Sequence, residues 1–173
     1  MIRNANARDA ATLAALAAVT FPLACPPDAL PEAVQQFIDT HLTESHFADY
    51  LADPARVLLI AEPGGVPSGY TMLVAGEPTD PDVLASLSLY PTVELSKFYV
   101  LESAHGSGLA GDLMLATLAA ARAQGAAGAW LGVNNENAKA NRFYEKHGFA
   151  RVGTKKFLVG ERWEDDFVRE REL

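Results

Sequence analysis

Residues 95–114, LSKFYVLESAHGSGLAGDLM, constrain this chain more than any other stretch. A run of strand-forming residues enters a turn that carries Gly106, Gly108 and Gly111, and an apolar helix starts within it. Glycine permits positive φ and close backbone approach, so successive N–H groups can converge on an anion. The helix N-terminus adds its unpaired N–H groups and its dipole. Together they predict a pyrophosphate cradle between a strand and a helix, although glycines at such a turn also serve simple chain reversal. Two familiar phosphate loops do not fit. No Gly-Lys-Ser/Thr ending is present for a P-loop. Gly106, Gly108 and Gly111 match the letters G-x-G-x-x-G of a dinucleotide site. They follow the fourth predicted strand rather than the first, however, and no acidic residue ends a second strand at the expected distance.

The rest of the chain supplies a mixed set of elements. Residues 2–5 predict an edge strand, and residues 8–20 a helix that Pro22, Pro26, Pro27 and Pro31 end. Helices follow over 32–42 and 44–52, the second opened by Thr43 with His46 three residues on. A strand at 57–61, a turn at Gly64-Gly65, a strand at 69–75 and a loop over 77–82 come next. In the strand 92–101, simple alternation sets Glu94, Ser96, Phe98 and Val100 on one side, and Val93, Leu95, Lys97 and Tyr99 on the other. The helix from Leu109 to about residue 124 carries a core stripe of Leu109, Leu113, Ala116, Thr117 and Ala120. Strands at 129–133, 149–157 and 163–171, a helix at 138–147 and a turn at Gly160-Glu161 complete the chain. The expected class is α/β (α+β), a mixed sheet with helices on both faces, in one domain over residues 1–173.

Composition narrows the partners. The single cysteine, Cys25, excludes an internal disulfide and suits a reducing compartment. No apolar run is expected to approach the roughly 20 residues that span a bilayer, and no secretory leader precedes the first strand. The expectation is a cytoplasmic protein without a membrane partner. A formal net charge of −8 opposes nucleic-acid binding, which calls for a basic stripe. It favours a cationic small molecule, although acidity also serves solubility alone.

The turn His105-Gly106-Ser107-Gly108-Leu109-Ala110 resembles motif A of the GCN5-related N-acetyltransferase (GNAT) superfamily, Arg/Gln-x-x-Gly-x-Gly/Ala. A second stretch, LGVNNENAKANRFYEKHGF, resembles that superfamily's N-x-x-A-x-x-x-Y-x-x-x-G-F signature through Asn137, Ala140, Tyr144, Gly148 and Phe149. Asn137 and Tyr144 stand seven residues apart, close to two helical turns, so one side of a helix carries both. The resemblance implies the GNAT fold, with a sheet splayed between its fourth and fifth strands, and acetyl-CoA as cosubstrate with no metal. It implies backbone contacts to the CoA pyrophosphate from His105, Gly106, Ser107, Gly108, Leu109, Ala110 and Gly111. It also implies strand-like pairing of Phe98, Tyr99 and Val100 with the pantetheine arm, and contacts to that arm from Asn137 and Ala140. His105 departs from the usual Arg or Gln.

The implied reaction is direct attack of an amine on the thioester in a ternary complex. A backbone N–H near residues 98–100 would polarise the thioester carbonyl, and Tyr144 would act as acid to the leaving thiolate. Glu94 is the best candidate for the base. The segments ELSKFYVL, RFYEKHGF and VGTKKFLVGERWEDDFV further resemble the bacterial spermidine/spermine acetyltransferase-like branch, which implies a small, polycationic amine as acceptor. Two alternatives stand beside it: a protein N-terminal or lysine acetyltransferase, and a CoA-binding regulatory module without catalysis. Homodimerisation is compatible with all three. Cys25 lacks a neighbouring base and reads as a loop or core thiol. His41 and His46 lack a ligand motif. The acidic run Glu161, Glu164, Asp165 and Asp166 reads as a solvated turn that could also recruit a cation.

Overall fold

The computed structural model describes residues 1–173. Its strands are β1 (Ile2–Asn4), β2 (Arg56–Ala61), β3 (Gly69–Ala75), β4 (Thr92–Val100), β5 (Gly128–Asn134), β6 (Ala150–Val159) and β7 (Arg162–Glu172). Its α-helices are α1 (Ala10–Ala24), α2 (Pro31–His41), α3 (Glu44–Ala52), α4 (Pro81–Ser86), α5 (Leu109–Ala123) and α6 (Ala138–Lys146). The strands form one mixed sheet in the order β1-β2-β3-β4-β5-β7-β6. Only β4 and β5 are parallel, because α5 carries the chain across the sheet between them. They pair just from Thr92–Glu94 to Gly128–Trp130 and then part, leaving a gap beside residues 95–100.

α1, α2 and α3 cover one face of the sheet, where Leu13, Ile38, Phe47, Ile60 and Tyr70 share a core. α5 covers the other, burying Leu113, Met114, Thr117, Leu118 and Ala121. The helix is therefore turned slightly from the expected stripe: Leu109, Ala116 and Ala120 sit half-buried at its margin.

Two local expectations are corrected. Pro22 does not end the first helix; α1 continues through it to Ala24. An internal proline costs on the order of 3 kcal/mol, and packing offsets it. Phe21 stacks on Phe37 with centroids 4.5 Å apart, and Leu13, Leu16 and Ala17 are buried below it. Without that break, the helical stretch Ala7–Ala24 is long and apolar enough to cross a membrane, against the expectation from the sequence. In the fold it is a core helix, and Asp9 at its start holds Arg3 at 2.8 Å. The second correction is α4, where a loop was expected to extend into residue 82. Asp80 caps its first turn by accepting from the Asp82 N–H at 2.9 Å, and Val83 is driven into a cluster with Leu87, Trp130 and Val168.

The third departure shapes the site. The β3–β4 register slips at Met72/Leu73: Leu73 faces Leu95 and Met72 faces Lys97, so Ser96 is an extra residue in β4. Such a bulge exchanges the faces of the residues on either side of it. Val93, Leu95, Phe98 and Val100 all pack toward α5 and α6. Glu94, Lys97 and Tyr99 all point to the α1–α3 side. Simple alternation, which put Glu94 with Phe98, fails at this one residue.

Candidate active site

The glycine turn has the geometry that an anion requires. Gly106 (φ 80°) and Gly108 (φ 89°) are left-handed, and no non-glycine residue of the chain has positive φ. Open space surrounds both, so conformation rather than crowding demands glycine there. The backbone donors divide into two sets. His105 N–H donates to Glu102 (3.0 Å), Ser107 N–H to Ala104 (3.3 Å), and Leu109 N–H to the Ser107 hydroxyl (3.3 Å). These amides hold the turn and are not free for a ligand, contrary to the sequence expectation. Gly106, Gly108, Ala110 and Gly111 have no protein acceptor and line the N-terminus of α5.

His105 has a different task from the expected one. Its Nε2 lies 3.1 Å from the Val100 carbonyl, and its Nδ1 lies 2.8 Å from Lys139 Nζ. An ammonium only donates, so Nδ1 is the acceptor and Nε2–H the donor, a neutral imidazole. The ring thereby ties the end of β4 to α6 and holds Lys139 at the rim of the cradle. Sequence reading missed Lys139; its position two residues after Asn137 in the first turn of α6 was the available signal.

Backbone groups on β4 face the gap. Leu101 N–H donates to Ser68 at 2.8 Å, so alternation directs Tyr99 toward β3 and turns Phe98 and Val100 toward β5. The Val100 carbonyl is already taken by His105, leaving the Phe98 groups and the Val100 N–H available to a ligand.

Three chambers that share lining residues follow the gap. The outer one, about 290 Å³, is bounded by His105, Gly106, Ala110, Lys139, Phe143 and the walls it shares with the next. The shared walls are Ala24, Phe98, Tyr99, Asn137, Ala140 and Tyr144. The middle chamber, about 200 Å³, continues past Cys25, Gly132, Glu164 and Asp166. The inner one, about 130 Å³, ends among Phe37, Leu42, Glu94, Lys97 and Lys155.

Tyr144 sits where the outer and middle chambers meet, held edge-on between Phe98 (6.2 Å) and Phe149 (6.1 Å). Burial pushes its phenol far above the usual range, so it stays protonated at neutral pH. The helix carrying it is fixed from below. Asn137 Oδ1 caps α6 by accepting from Ala140 N–H (3.1 Å), so this expected CoA contact keeps its Nδ2 donors free for a ligand while the cap fixes the amide's orientation. Asn141 donates to the carbonyls of Asn134 and Asn137, and the buried Arg169 donates to Asn141 Oδ1 (3.0 Å) and the Phe149 carbonyl (2.9 Å).

The acidic run is not a solvated turn. Only Glu161 sits in the exposed turn; the other three lie on β7, whose alternation turns Glu164 and Asp166 inward, 6% and 7% exposed, while Asp165 points out to Lys156. Burial lifts the Asp166 carboxyl to about 6, against the opposing pull of Lys155 at 3.9 Å. Asp166 lines both the middle and inner chambers. Glu94, the expected base, lines only the inner one, and burial raises its pKa as well. Cys25 borders the middle chamber, but burial and the nearby Glu164 push its thiol up to about 11, which leaves it inert at neutral pH.

The comparisons agree with this geometry. Residues 24–149 match the model of the acetyltransferase (GNAT) family. Proteins of Mycobacterium tuberculosis and Mycobacterium bovis, each described as an uncharacterised N-acetyltransferase, are 47% identical over 165 residues, covering 95% of this chain and 98% of theirs. The fold resembles that of the PaiA N-acetyltransferase from Thermoplasma acidophilum, solved in complex with coenzyme A: TM-score 0.79, 16% identity, 100% of this chain and 98% of that one. It also resembles YncA from Salmonella typhimurium, solved with its cofactor acetyl-CoA: TM-score 0.66, 22% identity, 100% and 93% coverage.

Proposed function

The chain belongs to the GNAT acetyltransferase family, and we propose that this acetyl-CoA-dependent enzyme acetylates the primary amine of a small molecule held in the middle and inner chambers. The observation that carries the reading is the place of Tyr144. Two protonated phenols, Tyr99 and Tyr144, border both the chamber that opens on the glycine cradle and the chamber lined by Glu164 and Asp166; Tyr99 stacks on Tyr70 at 5.6 Å in the α1–α3 core, whereas Tyr144 reaches both chambers from α6, the helix of Asn137 and Lys139.

The residues divide the work by type. Free amides of Gly106, Gly108, Ala110 and Gly111 fit the CoA pyrophosphate, and Lys139 adds a cation at the rim. The gap-facing groups of Phe98 and Val100 fit a strand-like pantetheine arm, and an N–H there polarises a thioester carbonyl. Acetyl-CoA supplies an activated acyl group whose leaving thiolate needs a proton, and the Tyr144 hydroxyl is the donor that borders that place. The attacking amine must first lose a proton. Asp166 is the better placed acceptor because it reaches both chambers; Glu94 stands behind it and serves through water. Holding amine and thioester together supplies much of the acceleration.

A protein acceptor fits less well, because Phe37 of α2 closes onto Phe157 of β6 at 5.5 Å over the inner chamber. A regulatory module has no use for a protonated tyrosine opposite a tuned carboxylate. The single free cysteine and the reliance on acetyl-CoA favour a cytoplasmic setting. A screen of CoA thiol release across small amines, aminoglycosides and peptides tests the reading. Release with small amines supports it; release with peptides alone overturns it.

A further inference from the structure

We propose that the acceptor is a small primary amine that also bears a carboxylate, which Lys97 receives in the inner chamber; this rests on the small-amine reading above. The charges along the passage are sorted. No lysine or arginine lines the middle chamber, next to Tyr144, whereas Glu164 and Asp166 do. An ammonium drawn there lies beside the phenol and the proton acceptor. The lysines, Lys97 and Lys155, line only the inner chamber.

These inner charges are not all matched by the protein. Lys155 pairs with Asp166 at 3.9 Å, and Glu164 with Arg162 at 3.0 Å. Lys97 has no carboxylate within salt-bridge reach. Its Nζ stands 5.6 Å from the Tyr50 ring, which also carries the Arg56 guanidinium at 4.8 Å, and Arg56 is itself occupied by Asp53 at 3.0 Å. A half-buried ammonium without an anion carries a desolvation cost, and a ligand carboxylate relieves it. Burial pulls the Lys97 pKa down to about 8, so the ammonium form still dominates at pH 7. Glu94, the other unpaired group of the chamber, lies outside salt-bridge reach of Lys97 and offsets it only at longer range.

The same sorting disfavours a polycation. The inner chamber holds Glu94 and Asp166 as well as the two lysines, but Asp166 is engaged by Lys155 at 3.9 Å, so the far ammonium of a diamine would meet Lys97, which no carboxylate pairs, with Glu94 shared between the two cations. Between the two charged ends the wall is Phe21, Tyr99 and Phe157, which suits a short carbon chain. Amino acids of α or ω type have this pattern.

The test compares thiol release for short amino acids, the corresponding amino-acid amides, and diamines of equal length. The wild-type enzyme should favour the amino acids by at least about tenfold in kcat/KM. Lys97→Met should collapse that ratio toward one, chiefly through the KM of the amino acid, and Lys97→Arg should keep most of it. Equal or better use of amides or diamines by the wild-type enzyme overturns the proposal, as does an unchanged ratio in Lys97→Met. The wild-type comparison stands even if a variant fails to fold. No release from any amine, with acetyl-CoA still bound, overturns the small-amine reading and this acceptor with it. Release without a carboxylate preference overturns only the present proposal.

Discussion

The proposed cofactor side and acceptor side of the passage are built from different materials. The cradle is made of backbone: four free amides over residues 106–111, posed by two left-handed glycines and a helix start. The acceptor chambers are made of side chains brought from α1, α2, β4, β6 and β7. A backbone site tolerates many side-chain changes but no change of conformation, whereas a side-chain site changes its ligand with a single substitution. One scaffold can thus keep its acyl donor while its acceptor varies.

The strongest way to break this contrast is at Gly108. Gly108→Glu forces a side chain into φ 89° and adds a carboxylate to an anion cradle. Acetyl-CoA affinity by calorimetry should fall at least about 100-fold, on the order of 3 kcal/mol; retained affinity would refute the cradle. Tyr144→Phe should lower kcat about 100-fold while acetyl-CoA affinity stays nearly unchanged, because only the hydroxyl is lost. Unchanged turnover would sink the acid role.

Asp166→Asn addresses the proton acceptor. A carboxyl with a pKa of about 6 works as a base only above that pH, so wild-type kcat/KM should fall as the pH drops below about 6. The variant should lose on the order of tenfold at neutral pH, and that acid limb should vanish. If the limb survives in Asp166→Asn and disappears in Glu94→Gln, the base is Glu94. The smallest effect is expected at Lys139. Lys139→Ala should weaken acetyl-CoA about fivefold at low salt, roughly 1 kcal/mol for an exposed charge, and the difference should shrink as salt rises.

The same contrast explains what could be read before folding. The cradle and the Asn137–Tyr144 helix are local: their residues lie within a few turns of one another, so spacing alone reveals them. Glu164 and Asp166 were visible only as an acidic run, because their inward direction depends on β7 being a strand paired on both sides. The path of α1 through Pro22 depends on Phe37, a residue from another helix. Glu94 was read onto the face of Phe98 because the extra residue in β4 shows only against its partner β3. Lys139 escaped notice since its meaning comes from His105, 34 residues away.

The bulge at Ser96 carries a consequence for how this strand can change over time. Residues 97–100 owe their directions to a count rather than to their own identities. Removing one residue there would turn Lys97 and Tyr99 toward α5 and swing Phe98 from the α5–α6 face to the α1–α3 face. On the proposed reading, substitutions in β4 would alter which amine is admitted, whereas a one-residue deletion would exchange the directions of residues 97–100 at once. Relatives of this protein should differ in this strand by replacement and keep its length.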